Sequence, residues 1–95
     1  MIKRIVKMEF NTEKVETFKS IFQENQSKIA AQGGCYGVQL LQDIHEENIF
    51  FTYSSWESQA HLDQYRNTEL FKGVWAQTKA LFCNKPMAWS VQEIL

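Results

Sequence analysis

Proline occurs once and glycine four times in this 95-residue sequence, so regular secondary structure is interrupted at only a few defined turns. The two cysteines, Cys35 and Cys83, lie far apart and make no CxxC pair, and they read as reduced, small side chains of a core. Histidine is equally scarce. His45 and His61 make no HxxxH pair, so neither residue type offers the spacing of a metal site, and His45 with Glu46 and Glu47 reads as a wet hairpin tip. Gly33 and Gly34 precede a strand instead of following one, and no GxSxG occurs, which removes the signatures of nucleotide binding and of acyl-enzyme chemistry. A formal net charge of -1 with no block of like charge leaves no footprint for nucleic acid or for an anionic membrane. The apolar runs are far shorter than a membrane span. The opening MIKRIVKMEF alternates charged and apolar residues where a signal peptide would be continuously apolar, so a soluble, cytoplasmic protein is expected.

What is present is a chain that is 44% hydrophobic and 14% aromatic, enough for one small core and hence a single domain over residues 1–95. Residues 2–10 alternate with the period of a strand, Val6, Met8 and Phe10 forming its more apolar face. Thr12 is placed to cap the helix that follows, in which Val15, Phe18, Ile21, Phe22 and Ile29 recur at helical spacing until Gly33 and Gly34. Strands from Cys35 to Asp43 and from Asn48 to Trp56 form a hairpin. Ser58 opens a short helix, and Thr68 caps another that runs to Phe82. The two could be one broken helix. After Asn84 and Pro86, Met87, Trp89 and Val91 alternate with Ala88, Ser90 and Gln92 in a last strand.

The order β-α-β-β-α-β folds most simply as an antiparallel sheet with both helical segments on one face, an α+β, ferredoxin-like arrangement. Its other face then carries Ile5, Ile49, Phe51 and Tyr53 with no helix to cover them. An apolar face of this kind implies an interface, and packing two such sheets together predicts a two-fold homodimer.

The stretch YSSWES followed by LDQYRNTELFK, with Pro86 opening the last strand, resembles the antibiotic biosynthesis monooxygenase domain family of dimeric α+β barrel proteins. The resemblance covers essentially the whole chain. It implies a pocket between sheet and helices, and an activity among cofactor-independent oxygenation of aromatic polyketides, haem degradation, or isomerisation of a phosphorylated sugar. In the polyketide oxygenases it implies a tryptophan at Trp56, which matches, and an asparagine at Thr52, which does not. Tyr65 and Leu70 stand where many members have histidines. For haem degraders the axial histidine would fall near Trp75 and an asparagine near Val6, so haem degradation is disfavoured.

Strand alternation puts Phe50, Thr52, Ser54 and Trp56 on one face, which the resemblance makes the helix-facing one. Trp56 is then either a wall on which a flat substrate stacks or a core anchor. His61 and Tyr65 stand one helical turn apart and form the best acid/base candidate, the plain alternative for His61 being a solvated surface residue. Thr52, Phe50 and Trp75 are candidates for substrate contact, while Phe71 and Phe82 are assigned to the core. The expected function is a cofactor-independent monooxygenase, using no metal or flavin, that acts on a small electron-rich aromatic or enolic molecule. The alternatives are a non-catalytic binding module of the same fold, or a cofactor-free isomerase or mutarotase on a sugar-like ligand.

Overall fold

The alternating residues Ile2–Glu9 form β1, and hydrogen bonds on both of its edges make it a central strand. A computed structural model of the protein covers residues 1–95. β1 pairs with β3 (Ile49–Trp56) on one side and with β4 (Met87–Val91) on the other, and β2 (Cys35–Gln42) pairs with the far edge of β3. All three pairings are antiparallel, in the order β2-β3-β1-β4, as the ferredoxin-like reading requires. Register aligns Leu40, Thr52, Val6 and Ala88 in one row across the sheet, with Val38, Ser54, Arg4 and Ser90 in the next row of the same face.

The helices are α1 (Val15–Ala30), α2 (Gln59–Arg66) and α3 (Glu69–Lys79). Thr12 does not cap α1. It opens a 3-10 turn, Thr12–Lys14, in which backbone carbonyls take the first donors: Lys14 N–H bonds the Asn11 oxygen at 2.8 Å and Val15 N–H bonds that of Thr12. Of the Gly33–Gly34 pair past α1, Gly34 alone is left-handed, at φ +78°, and a β-carbon there would collide with the His61 ring. Gly37, at φ +134°, serves an irregularity in β2 between Cys35 and Val38.

The capping by Ser58 and Thr68 is as the sequence suggests, and the two helices are separate. The Thr68 hydroxyl donates to the Tyr65 carbonyl at 2.7 Å, closing α2, and accepts from Phe71 N–H at 3.1 Å, opening α3. α3 stops at Lys79, short of Phe82, because the chain beyond it turns to bond the end of β1: Asn11 N–H reaches the Leu81 oxygen and Cys83 N–H that of Glu9. No helix is long and apolar enough to cross a membrane.

Met8, Phe10, Val15, Phe18, Phe22, Ile29, Val38 and Phe50 form the core between α1 and the sheet. Phe10 is fully buried at its centre, 4.1 Å between ring centroids from Phe18, with Phe50 and Phe82 also against it. The opposite face of the sheet buries nothing. There Ile5 lies between Tyr53 and Trp89, and Lys7 between Phe51 and Met87, with Leu41 beyond Phe51. Trp89, Leu41 and Met87 are exposed, while Ile5, Phe51 and Tyr53 are half-buried.

Candidate functional site

Between the helix-facing side of the sheet and the helices lies a cavity of about 290 Å³. Val6 and Thr52 contribute to its floor from β1 and β3, Phe18 and Phe22 one wall from α1, and Tyr65, Phe71, Val74 and Trp75 the wall from α2 and α3. The cavity exists because α2 and α3 do not pack as deeply as α1: Thr78 is the only buried residue of α3 and Leu62 the only one of α2. Their aromatic rings close on one another instead, Tyr65 edge-on to Phe71 at 5.2 Å and Phe71 stacked with Trp75 at 6.1 Å.

Of the residues singled out from sequence, Tyr65, Thr52 and Trp75 line the cavity together. Trp56 does not. It is 1% exposed, its indole N–H donates to the Ser54 hydroxyl at 2.9 Å, and its ring is stacked at 5.0 Å on Tyr65, so it supports Tyr65 from behind. Strand alternation aimed it correctly, but Tyr65 occupies the space in front. Phe50 likewise lies in the core, against Phe10 and Phe18, and not in the cavity wall. Phe71 departs in the other direction, from assigned core to half-buried cavity wall, because the space beneath α3 is open. Phe82 is half-buried and packs on the core.

His61 is one turn from Tyr65 yet outside the cavity. Its ring packs over Gly34, with Nδ1 2.8 Å from the Ser58 hydroxyl and Nε2 3.4 Å from a Glu57 carboxylate oxygen. The cap that starts α2 thus draws the imidazole towards the helix N-terminus.

Burial pushes the Tyr65 phenol up to about 12, with a smaller contribution from Cys35. At neutral pH it is therefore a hydrogen-bond donor, not a base. Its hydroxyl bonds no protein group, and no buried polar side-chain atom lacks a partner, so this oxygen is reachable from outside the packed core. The Thr78 hydroxyl, by contrast, is taken up by the Val74 carbonyl at 2.7 Å.

Sequence reasoning missed Arg4 and Arg66, both of which line the cavity. The signal was there: Arg4 shares the inward face of β1 with Val6 and Met8, and Arg66 follows Leu62 by four residues, a spacing that keeps one helix face. The Arg4 guanidinium donates to the Ser90 hydroxyl at 3.0 Å. Burial lowers its pKa, and repulsion from Arg66 lowers it further against the opposing pull of Asp63, but an arginine stays cationic throughout. No three His, Cys, Asp or Glu side chains converge as a metal ligand set.

The model of the antibiotic biosynthesis monooxygenase family matches residues 1–77. The chain belongs to this family. Solved structures agree in fold: an antibiotic biosynthesis monooxygenase superposes with a TM-score of 0.93 at 19% identity, covering 100% of both chains. A conserved protein from Methanosarcina mazei Go1 gives 0.93 at 17% identity, over 98% of this chain and 92% of its own. A protein of unknown function from Bacteroides thetaiotaomicron VPI-5482, described as a possible oxidoreductase, gives 0.83 at 16% identity, over 95% of this chain and 96% of its own. At these identities the likeness establishes the fold alone. No curated protein matches the chain. Thr52, Tyr65 and Trp75, at positions where the resemblance implies Asn or His, all line the cavity.

Proposed function

We propose that this protein is a cofactor-independent monooxygenase of a small, electron-rich aromatic or enolic molecule, and that it works as a homodimer joined through the helix-free sheet face. One observation carries the catalytic reading: an apolar, aromatic cavity is lined by a single phenol, Tyr65, which is protonated at neutral pH and pushed further from ionisation by burial. A flat substrate would lie between Trp75, Phe71 and the Val6–Thr52 floor, with Trp56 fixing the Tyr65 ring from behind. Such a substrate is its own reductant. Loss of a proton from an activated ring CH₂ gives an enolate, which passes an electron to O₂, and the two radicals join as a carbon peroxide. Protonation and loss of water then leave a ketone, so one oxygen atom enters the product and the other leaves as water. Tyr65 donates a hydrogen bond to the developing oxyanion and a proton to the peroxide, recovering its own from solvent. Domain extent and site roles belong to the same proposal: one domain over residues 1–95, with Tyr65 catalytic, Thr52 and Trp75 binding substrate, and Trp56 and His61 acting only through their neighbours.

A non-catalytic binding module of the same fold is favoured by a different observation: the cavity wall contains no histidine and no carboxylate to act as a base. Oxygen uptake with a panel of quinols and enolisable ring ketones separates the two. The oxygenase reading expects uptake above the buffer rate, one labelled atom from ¹⁸O₂ in the product, and a loss of roughly 10²-fold or more in kcat for Tyr65→Phe. Saturable binding with no uptake across the panel would leave the binding module.

A further inference from the structure

The cavity wall holds two cations, Arg4 and Arg66, and no anion. Neither guanidinium has a carboxylate within 4.0 Å, since the ion pairs of the molecule are Lys19–Glu16 and His61–Glu57. Arg4 projects from β1, whose other inward residues, Ile2, Val6 and Met8, are apolar, and Arg66 comes from the last turn of α2. Arg4 loses part of its hydration and is repelled by Arg66, with Asp63, beyond ion-pair distance, pulling the other way, so an anion placed between the two guanidiniums would be favoured. Arg4 donates one exposed bond to Ser90 on the adjacent strand, which leaves the rest of its donor fork free.

We infer that Arg4 and Arg66 together bind an anionic oxygen group of the ligand, a carboxylate or an ionised enol or phenol, while its one- or two-ring apolar body fills the cavity. Guanidinium forks suit a planar pair of oxygens or a delocalised oxyanion better than they suit a neutral hydroxyl. The size follows from the volume: about 290 Å³ lies at the small end of ligand pockets. The inference rests on the proposed function only in taking this cavity as the ligand site, and it supplies what that function lacks. With no base in the wall, two arginines that stabilise the conjugate base let the substrate give its proton to water.

The test compares 2-naphthoate with its neutral isostere 2-naphthamide by isothermal titration calorimetry, on the intact protein and on Arg4→Gln, Arg66→Gln and Arg4→Lys. Wild type should prefer the carboxylate by about tenfold or more, because a hydrogen bond to a charged group is worth roughly twice a neutral one. Each Gln variant should lose most of that preference with amide affinity within about twofold of wild type, and Arg4→Lys should keep part of it. Arg66 is exposed, so Arg66→Gln should melt as wild type does even if a change at Arg4 disturbs the sheet. Equal affinity of wild type for acid and amide, no saturable binding of the acid, or an equal loss of both ligands in Arg66→Gln would overturn the inference. Oxygen uptake keeps the two proposals apart. Carboxylate selectivity without turnover removes the oxygenase and keeps the arginine site, whereas turnover whose KM and kcat ignore both Gln substitutions does the reverse.

Discussion

Truncating Phe71 and truncating Phe10 should differ in cost, although both residues are phenylalanines in aromatic clusters. Phe10 is sealed, with Phe18, Phe50 and Phe82 around it, so Phe10→Ala loses the transfer energy of a buried ring and opens a new void, about 3–5 kcal/mol together. Phe71 is half-buried and already borders open space, so Phe71→Ala enlarges an existing cavity instead of making one. What it loses is part of a ring's burial and its contacts with Tyr65 and Trp75, roughly 1–2 kcal/mol. A domain of this length has only about 5–14 kcal/mol in total, so the first change threatens folding and the second does not. Urea unfolding reads the difference directly. At a slope of about 1–3 kcal/mol per molar the midpoints should fall by roughly 2 M for Phe10→Ala and by 1 M or less for Phe71→Ala. Phe71→Ala should also admit larger ring ligands. Equal losses of midpoint would mean that Phe71 is packed as tightly as Phe10, and the cavity beneath α3 would have to be abandoned.

Three further outcomes are expected. Phe51→Asp, which would place a carboxylate in the proposed sheet-to-sheet interface, should give monomer or insoluble protein in light scattering; a wild type that is itself monomeric refutes that interface. Because the Tyr65 phenol is raised to about 12 by folding, its contribution is complete below the unfolded value near 10 and is lost as pH climbs from there through the folded value. Thermal unfolding of Tyr65→Phe should therefore decline less than wild type over that alkaline window, and superimposable declines would show that the phenol is not buried as described. Gly34→Ala, at φ +78° and beneath the His61 ring, should cost about 1–2 kcal/mol and loosen the Ser58–His61 contact, visible in the histidine ring resonances. An unchanged melting temperature would contradict the close approach.

The alternation along β1, the stripe Val15, Phe18, Phe22 and Ile29 of α1, and the caps Ser58 and Thr68 are local properties of the backbone period and its ends, and they were legible in the sequence before any packing was known. So was the apolar character of Phe51 and Tyr53 on a face without helices. The site was legible only in part. Periodicity tells which way Trp56 points but not what stands in front of it, and only the docking of α2 shows that Tyr65 takes the cavity side and Trp56 the core side. Helical spacing tells that His61 and Tyr65 share a face, while a cap bond to Ser58 decides that the imidazole leaves it. Arg4 and Arg66 lie at opposite ends of the β1-to-α2 stretch, and each alone reads as an ordinary solvated charge. The pair exists only because the antiparallel sheet carries the start of β1 under the end of α2, and proximity between distant segments is a property of tertiary packing that no local pattern encodes.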